Sequence, residues 1–211
     1  MSPVKRFTDR TDAGEQLGEA LRERGIDVDI VLAIPRGGLP LGRAVADALG
    51  APLDIVVASK IGAPNNPEYA IGAVASDGSV WRNESAVGRT GAGEAYFERE
   101  REREAETART KADRYRDGAS PPDLDGRRVA VVDDGVATGS TLRACLAMLA
   151  AAGAAGIVVA VPVGPPDTIA ALEDMADEVV CLETPSQFRA VGQFYEQFEQ
   201  VSDEEAMEYL D

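Results

Sequence analysis

Residues 127–142 read Arg-Arg-Val-Ala-Val-Val-Asp-Asp-Gly-Val-Ala-Thr-Gly-Ser-Thr-Leu, and the change of pattern inside this stretch decides the fold. Val129 to Val132 is a short apolar run rich in β-branched residues, as expected of a strand buried on both faces of a parallel sheet. From Gly139 onward the spacing turns helical, with Leu142, Cys145, Leu146 and Leu149 on one face and Gly153 as the stop. Between strand and helix, Gly135 to Thr141 carries no bulky side chain beyond Val136. Such a loop at a helix N-terminus turns several backbone N–H groups toward one point, and the helix dipole adds partial positive charge there, so a phosphate is the natural guest. A P-loop would need a Lys ahead of the Ser/Thr, where this chain has Gly139 followed by Ser140, so a nucleoside triphosphate site is not expected. Asp133 and Asp134 would repel a phosphate at contact. They are expected to stand to one side, accepting hydrogen bonds from sugar hydroxyls or holding Mg²⁺ through water. The plainer alternative is a tight turn whose acids merely cap the helix, but a cap needs one acid and no run of small residues.

The charge narrows the choice of partner. Asp and Glu number 37 against 21 Lys and Arg, a net of −16, and only Lys5, Lys60 and Lys111 are lysines. Duplex nucleic acid binding needs a basic face, and this balance argues against it. An acid-rich, Lys-poor, Ala-rich chain with few aromatics has the composition of a protein kept soluble in high salt. An anionic ligand would therefore be held by backbone amides, a metal ion and a few placed cations. With no His and two isolated cysteines, Cys145 and Cys181, a zinc site is not expected, and both thiols read as buried small hydrophobes. The absence of a long apolar run and of a signal-like start leads us to expect a cytoplasmic protein without a membrane span.

The rest of the chain alternates strands and helices. Thr11 or Asp12 is expected to cap a first helix with an apolar stripe of Ala13, Leu17, Ala20 and Leu21. Asp29 to Ile34 reads as a buried strand, followed by Pro35-Arg36-Gly37-Gly38 and a helix to Leu49 that Gly50 ends. Arg36 suits a phosphate or pyrophosphate oxygen pair, although an exposed Arg in an ordinary turn would look the same. Leu53 to Ala58 is expected to be a strand with Lys60 at its C-terminal end, the edge where open α/β sheets place ligands. The breaker-rich Gly62 to Glu68 is expected to be a mobile loop, and Asp77-Gly78 to turn a hairpin. Asn83-Glu84-Ser85 fits a glycosylation sequon, which we discount. Glu94 to Arg116 reads as a solvated helix with opposite charges at i, i+3, and Gly118 to Gly126 as a linker. After the central stretch come a strand (156–161), a helix (165–175) and a short strand (178–182).

These units predict a single α/β domain over 1–211 with a doubly wound, mostly parallel sheet whose core spans 29–182. Residues 83–126 form a charged helical insertion and linker. The tail, 185–211, holds Phe188, Phe194, Tyr195, Phe198 and Tyr209, and is expected to cap the ligand edge, form a homodimer face, or pack on the core.

Val-Val-Asp-Asp-Gly-Val-Ala-Thr-Gly-Ser-Thr resembles the phosphoribosyl-pyrophosphate (PRPP) motif of type I phosphoribosyltransferases. Pro35-Arg36-Gly37-Gly38 resembles their pyrophosphate loop, and Lys60 with the following Gly/Pro segment the entry to their flexible catalytic loop. Lys60-Ile61-Gly62, Tyr69 to Val74 and Ala190-Val191-Gly192 are similar to a branch of predicted phosphoribosyltransferases without a settled acceptor. The resemblance implies transfer of the 5-phosphoribosyl group from PRPP to a nitrogen acceptor, such as a nucleobase, with Mg²⁺ as cofactor. It implies that the loop Gly135, Val136, Ala137, Thr138, Gly139, Ser140 and Thr141 holds the 5'-phosphate through its amides and hydroxyls. Asp133 and Asp134 would hold the ribose hydroxyls and, directly or not, Mg²⁺. Arg36, Gly37 and Gly38 would receive pyrophosphate, with a cis bond between Pro35 and Arg36, and Lys60 would join Arg36 in stabilising the leaving group. Two departures stand out. Gly135 replaces the usual aliphatic residue, which is expected to loosen the loop, and Ala137 stands where 6-oxopurine enzymes have an Asp, which disfavours hypoxanthine or guanine. One rival reading keeps fold and PRPP binding but makes the protein a sensor. Another is an unrelated dinucleotide binder resting on Gly88-Arg89-Thr90-Gly91-Ala92-Gly93, which does not match GxGxxG.

Overall fold

The computed structural model describes residues 7–210. In chain order its elements are α1 (Arg10–Glu23), β1 (Ile30–Ala33), α2 (Gly38–Leu49), β2 (Leu53–Ile55), β3 (Ala58–Ala63), β4 (Asn66–Ala75), β5 (Val80–Arg82), α3 (Glu84–Thr90), α4 (Glu94–Arg116), β6 (Arg128–Val132), α5 (Ser140–Ala151), β7 (Gly156–Val163), α6 (Pro166–Glu173), β8 (Glu178–Glu183), a 3₁₀ turn (Val191–Phe194) and α7 (Asp203–Glu208). They divide between two compact units, the first drawing on 1–55, 124–138 and 153–211 and the second on 56–123 and 139–152.

The first unit is built on a five-stranded sheet in the order β2-β1-β6-β7-β8, parallel throughout. Among its own strands this is the order 2-1-3-4-5 of a doubly wound sheet, in which the order of strand addition reverses between β1 and β6. β1 and β7 are buried at every residue and β6 at all but Arg128, which is why the three read as unbroken apolar runs. The register pairs Ala33 with Val132, so the loops leaving β1 and β6 emerge side by side.

Helix α1 starts earlier than its pattern suggested. Asp9 is the cap, its carboxylate accepting from the Asp12 N–H at 2.9 Å, and Asp12 lies inside the first turn. The apolar stripe does face inward, with Ala13, Leu17 and Leu21 fully buried. α1 and α2 approach through glycine. A Cβ at Gly14 would stand 2.7 Å from the Leu41 Cα, and one at Gly18 would stand 2.6 Å from the Ala48 Cβ. Gly14→Ala gains up to about 1 kcal/mol of helix propensity, yet forces the helices apart at a cost of roughly 1–3 kcal/mol. It is expected to lower the urea midpoint, whereas Gly88→Ala, at an open helical position in α3, should raise it.

The second unit carries an antiparallel sheet, β3-β4-β5, together with α3, α4 and α5. Here the sequence expectations need correction. The apolar run from Leu53 does not form one strand to Ala58. β2 ends at Ile55, and β3 begins at Ala58 in the other sheet, because continuous hydrophobicity does not mark where a chain leaves one sheet for another. Lys60 therefore sits within an antiparallel strand, opposite Ala73, and not at the end of a parallel one. The segment expected to be a mobile loop is the tip of the β3–β4 hairpin, with a register shift at Gly62. A Cβ at Gly62 would come within 2.7 Å of the Pro67 Cα, so glycine serves close backbone approach at a bulge.

The Asp77-Gly78 hairpin and the Glu94–Arg116 helix form as expected. α4 carries the i, i+3 pairs Glu98–Arg101, Glu100–Arg103 and Glu106–Arg109 and buries Phe97, Ala105, Ala108, Ala112 and Tyr115. Asn83 of the sequon is a helix cap, its Oδ1 accepting from the Ala86 N–H at 3.0 Å. The segment Gly88 to Gly93 closes α3, with Gly91 as its left-handed cap, and so is no strand-to-helix dinucleotide turn. Neither cysteine is in a disulfide, and burial pushes the Cys181 thiol up to about 11. No helix among the described residues is long and apolar enough to cross a membrane.

Candidate functional site

The two loops at the β1/β6 reversal touch. The peptide bond between Pro35 and Arg36 is cis, and α2 opens at Gly38, whose N–H donates to the Ile34 carbonyl at 3.0 Å. A Cβ on Gly38 would stand 2.7 Å from the Val132 carbonyl oxygen and 3.2 Å from the Asp133 Cα. One on Gly37 would stand 2.7 Å from the Asp134 Cγ and closer still to its Oδ2. Gly37 has ordinary helical angles, φ −60° and ψ −30°. Space, not backbone freedom, makes it glycine: the Asp134 side chain fills the room a Cβ would need.

Asp134 is largely enclosed. Its Oδ2 accepts from the Arg10 Nε at 2.9 Å, and both side chains are nearly buried, 15% and 12% exposed. Its main-chain carbonyl accepts from the Tyr195 hydroxyl at 2.6 Å. Burial pushes the Asp134 carboxyl above the usual carboxylate value, with the Arg10 charge and hydrogen bond opposing the shift. Burial, reinforced by the Asp134 charge, drives the Tyr195 phenol far above its ordinary value, so it serves as a donor. Asp133 accepts the Asp134 N–H on its own Oδ1 at 2.8 Å. Arg10 and Tyr195 escaped the sequence reading. For Tyr195 the only signal was the gathering of aromatics in the tail, and for Arg10 there was none.

Beyond the acids, the loop is anchored as well as open. The Val136 N–H donates to the Val163 carbonyl at 2.9 Å, so this amide belongs to the scaffold and is withdrawn from the set expected to hold a phosphate. The Ala137 carbonyl accepts from the Thr168 hydroxyl at 2.8 Å. Gly139, left-handed at φ 75°, leads into α5 without a side-chain cap of its own. Gly135 is not a loosening. Its φ is +152°, and a Cβ there would stand 2.6 Å from Val191 Cγ1 and 3.0 Å from Val163 Cγ1, so the space of the usual aliphatic residue is occupied by the terminal segment.

The two remaining sequence-predicted cations are loosely held. The Arg36 Nε lies 4.0 Å from the Asp203 carboxylate at the start of α7. The Lys60 Nζ meets the Glu68 carboxylate at 2.9 Å across the β3–β4 hairpin. Glu68 is 90% exposed, so this pair contributes at most about 1 kcal/mol and is easily exchanged for another anion. Among the described residues no three His, Cys, Asp or Glu side chains gather at one point. Two adjacent carboxylates are oxygen donors of the kind a hard divalent cation such as Mg²⁺ takes.

Comparison with known proteins places these features. The family model described as a phosphoribosyl transferase domain matches residues 8–199. A Mycobacterium tuberculosis protein, provisionally named a phosphoribosyl transferase and present in strains CDC 1551 and H37Rv, is 42% identical over 208 residues. That match takes in 99% of this chain and 47% of the mycobacterial one, so the chain spans about half the length of that relative. A crystal structure of a Thermus thermophilus protein is 42% identical, with a TM-score of 0.83 and 97% of both chains covered. A purine phosphoribosyltransferase structure from Pyrococcus horikoshii, 19% identical with a TM-score of 0.50 over 92% of this chain and 93% of that one, shares the fold.

Proposed function

The chain belongs to the phosphoribosyl transferase domain family, and from that premise we propose that it moves the 5-phosphoribosyl group of PRPP to a nitrogen acceptor with release of pyrophosphate. One observation carries the reading: at the reversal of the parallel sheet, a glycine pair at the end of β1 lies directly against two acids at the end of β6. Doubly wound sheets bind ligands at this point. The juxtaposition suits a ligand with a pyrophosphate for the first loop and a diol for the second.

The residues then take these roles. Amides of Ala137 to Thr141 and the hydroxyls of Thr138, Ser140 and Thr141 hold the 5'-phosphate, with Gly135 and Val136 as the loop's anchor. Asp133 and Asp134 accept from the ribose 2'- and 3'-hydroxyls. Arg36 and the amides of Gly37 and Gly38 receive the pyrophosphate, and Lys60 takes the role the family resemblance implies, a cation for the leaving group. Asp133 and Asp134 would hold Mg²⁺, directly or through water, and the ion would supply neutralisation of charge on the departing group. As pyrophosphate departs, positive charge develops on the sugar ring beside the carboxylates, while Arg36 and Lys60 offset negative charge on the leaving group. Held in place, the acceptor nitrogen attacks without an entropic search. We assign this work to a soluble, cytoplasmic homodimer, with a small-molecule acceptor and no nucleic acid partner.

Calorimetry with PRPP and Mg²⁺ is expected to give binding heat for the wild type and none for Asp133→Asn/Asp134→Asn; unchanged heat would exclude the site. Pyrophosphate release across a panel of nucleobases and small amines then identifies the acceptor. Tight PRPP binding with silence across the whole panel would favour a PRPP sensor.

A further inference from the structure

We propose that Arg10 is a positioning residue of the phosphoribosyl site, fixing the carboxylate of Asp134 for the ribose diol and tying the chain at Phe198–Glu199 to it. The inference rests on the phosphoribosyl reading above and adds a residue that neither the loop motifs nor the charge pattern marks.

Arg10 opens α1, 124 positions from Asp134 in sequence. Three independent contacts hold its guanidinium. Nε donates to Asp134 Oδ2 at 2.9 Å, Nη1 donates to the Glu199 carbonyl at 2.6 Å, and the guanidinium carbon sits 3.9 Å from the centroid of the Phe198 ring. The chain on either side is held too. Phe7 N–H donates to the Phe194 carbonyl at 2.8 Å and Glu196 N–H donates to the Phe7 carbonyl at 2.8 Å, which lays the segment before α1 alongside the one after the 3₁₀ turn. The Phe7 and Tyr195 rings meet at 5.5 Å, and the Tyr195 hydroxyl returns to the Asp134 carbonyl.

An Arg fork is planar and always charged, so engaging it at three points leaves little freedom to the carboxylate it holds. With Oδ2 committed to Arg10, the orientation of Asp134 is set and Oδ1 is the oxygen it offers to a sugar hydroxyl.

The test separates ligands that use the diol from those that do not. Wild type, Arg10→Gln and Arg10→Lys are titrated with ribose 5-phosphate, its 2,3-dideoxy analogue and inorganic pyrophosphate, with Mg²⁺ present. R10Q is expected to weaken ribose 5-phosphate 10- to 50-fold while leaving the dideoxy analogue and pyrophosphate within twofold of wild type. R10K, which keeps the charge and loses the fork, should recover part of the affinity and fold normally even if R10Q does not. Equal loss for all three ligands would reduce Arg10 to a structural prop and overturn the proposal. Unchanged ribose 5-phosphate binding in folded R10Q, or in R10K where R10Q fails to fold, would overturn it as well. Failure of the wild type to bind ribose 5-phosphate or pyrophosphate at all would instead overturn the phosphoribosyl reading, and this proposal with it.

Discussion

Gly37→Ala is expected to reduce PRPP affinity by a factor of 100 or more in a protein that still folds. The backbone tolerates the change, since φ −60° and ψ −30° suit alanine as well as glycine. The single added methyl has nowhere to go. It would stand 2.7 Å from the Asp134 Cγ, closer to Oδ2, and 3.4 Å from the Arg10 Nε, so it drives apart the ion pair beneath it. Overpacking of this kind costs roughly 1–3 kcal/mol, and a displaced buried carboxylate adds to that because its charge loses its partner. Stability should therefore fall measurably while the far-ultraviolet circular dichroism stays native. Calorimetry with PRPP and Mg²⁺ reads the larger effect. Gly88→Ala, at a helical position with nothing within 4 Å, is the control for generic loss of glycine and should bind PRPP normally. If Gly37→Ala binds within threefold of wild type, the loop at Arg36 does not face the acids in the way the ligand requires.

The second large effect is expected from Gly135→Ala, a change toward the aliphatic residue usual in the family. Two costs combine here. A non-glycine residue at φ +152° is strained, and its Cβ would meet Val191 and Val163 at 2.6 and 3.0 Å, for a total of about 2–5 kcal/mol. The cheaper escape is for the terminal segment to leave, since Val191 begins a short 3₁₀ turn while Val163 lies in a fully buried strand. Limited proteolysis is expected to nick Gly135→Ala between Val191 and Glu199 much faster than wild type. Adding Val191→Ala should restore part of the stability by removing the closer clash, leaving the backbone strain. A Gly135→Ala protein with wild-type urea midpoint and protease resistance would show that the terminal segment is not wedged against the loop.

Both expectations concern a site only part of which could be read from the chain. The strand from Val129 to Val132, the twin acids that close it, the small-residue turn and the helix beyond Gly139 are local patterns, and each forms where its periodicity changes. So are the Asp77-Gly78 hairpin and the charged helix from Glu94 to Arg116, because turn chemistry and i, i+3 pairing act within a few residues. The alternation of these units was enough for a parallel, doubly wound sheet.

Tertiary structure alone decided which strands share a sheet. The apolar run after Leu53 belongs to two sheets, and hydrophobicity carries no mark of that division. It also decided that Arg10 and Tyr195, from opposite ends of the chain, fasten the same aspartate, and that Gly37 and Gly135 are small because neighbours distant in sequence fill their space. Periodicity records which way a residue faces relative to its own element. Excluded volume and ion pairing between elements arise only once the sheet has ordered them, and in this protein they determine how the twin acids are held.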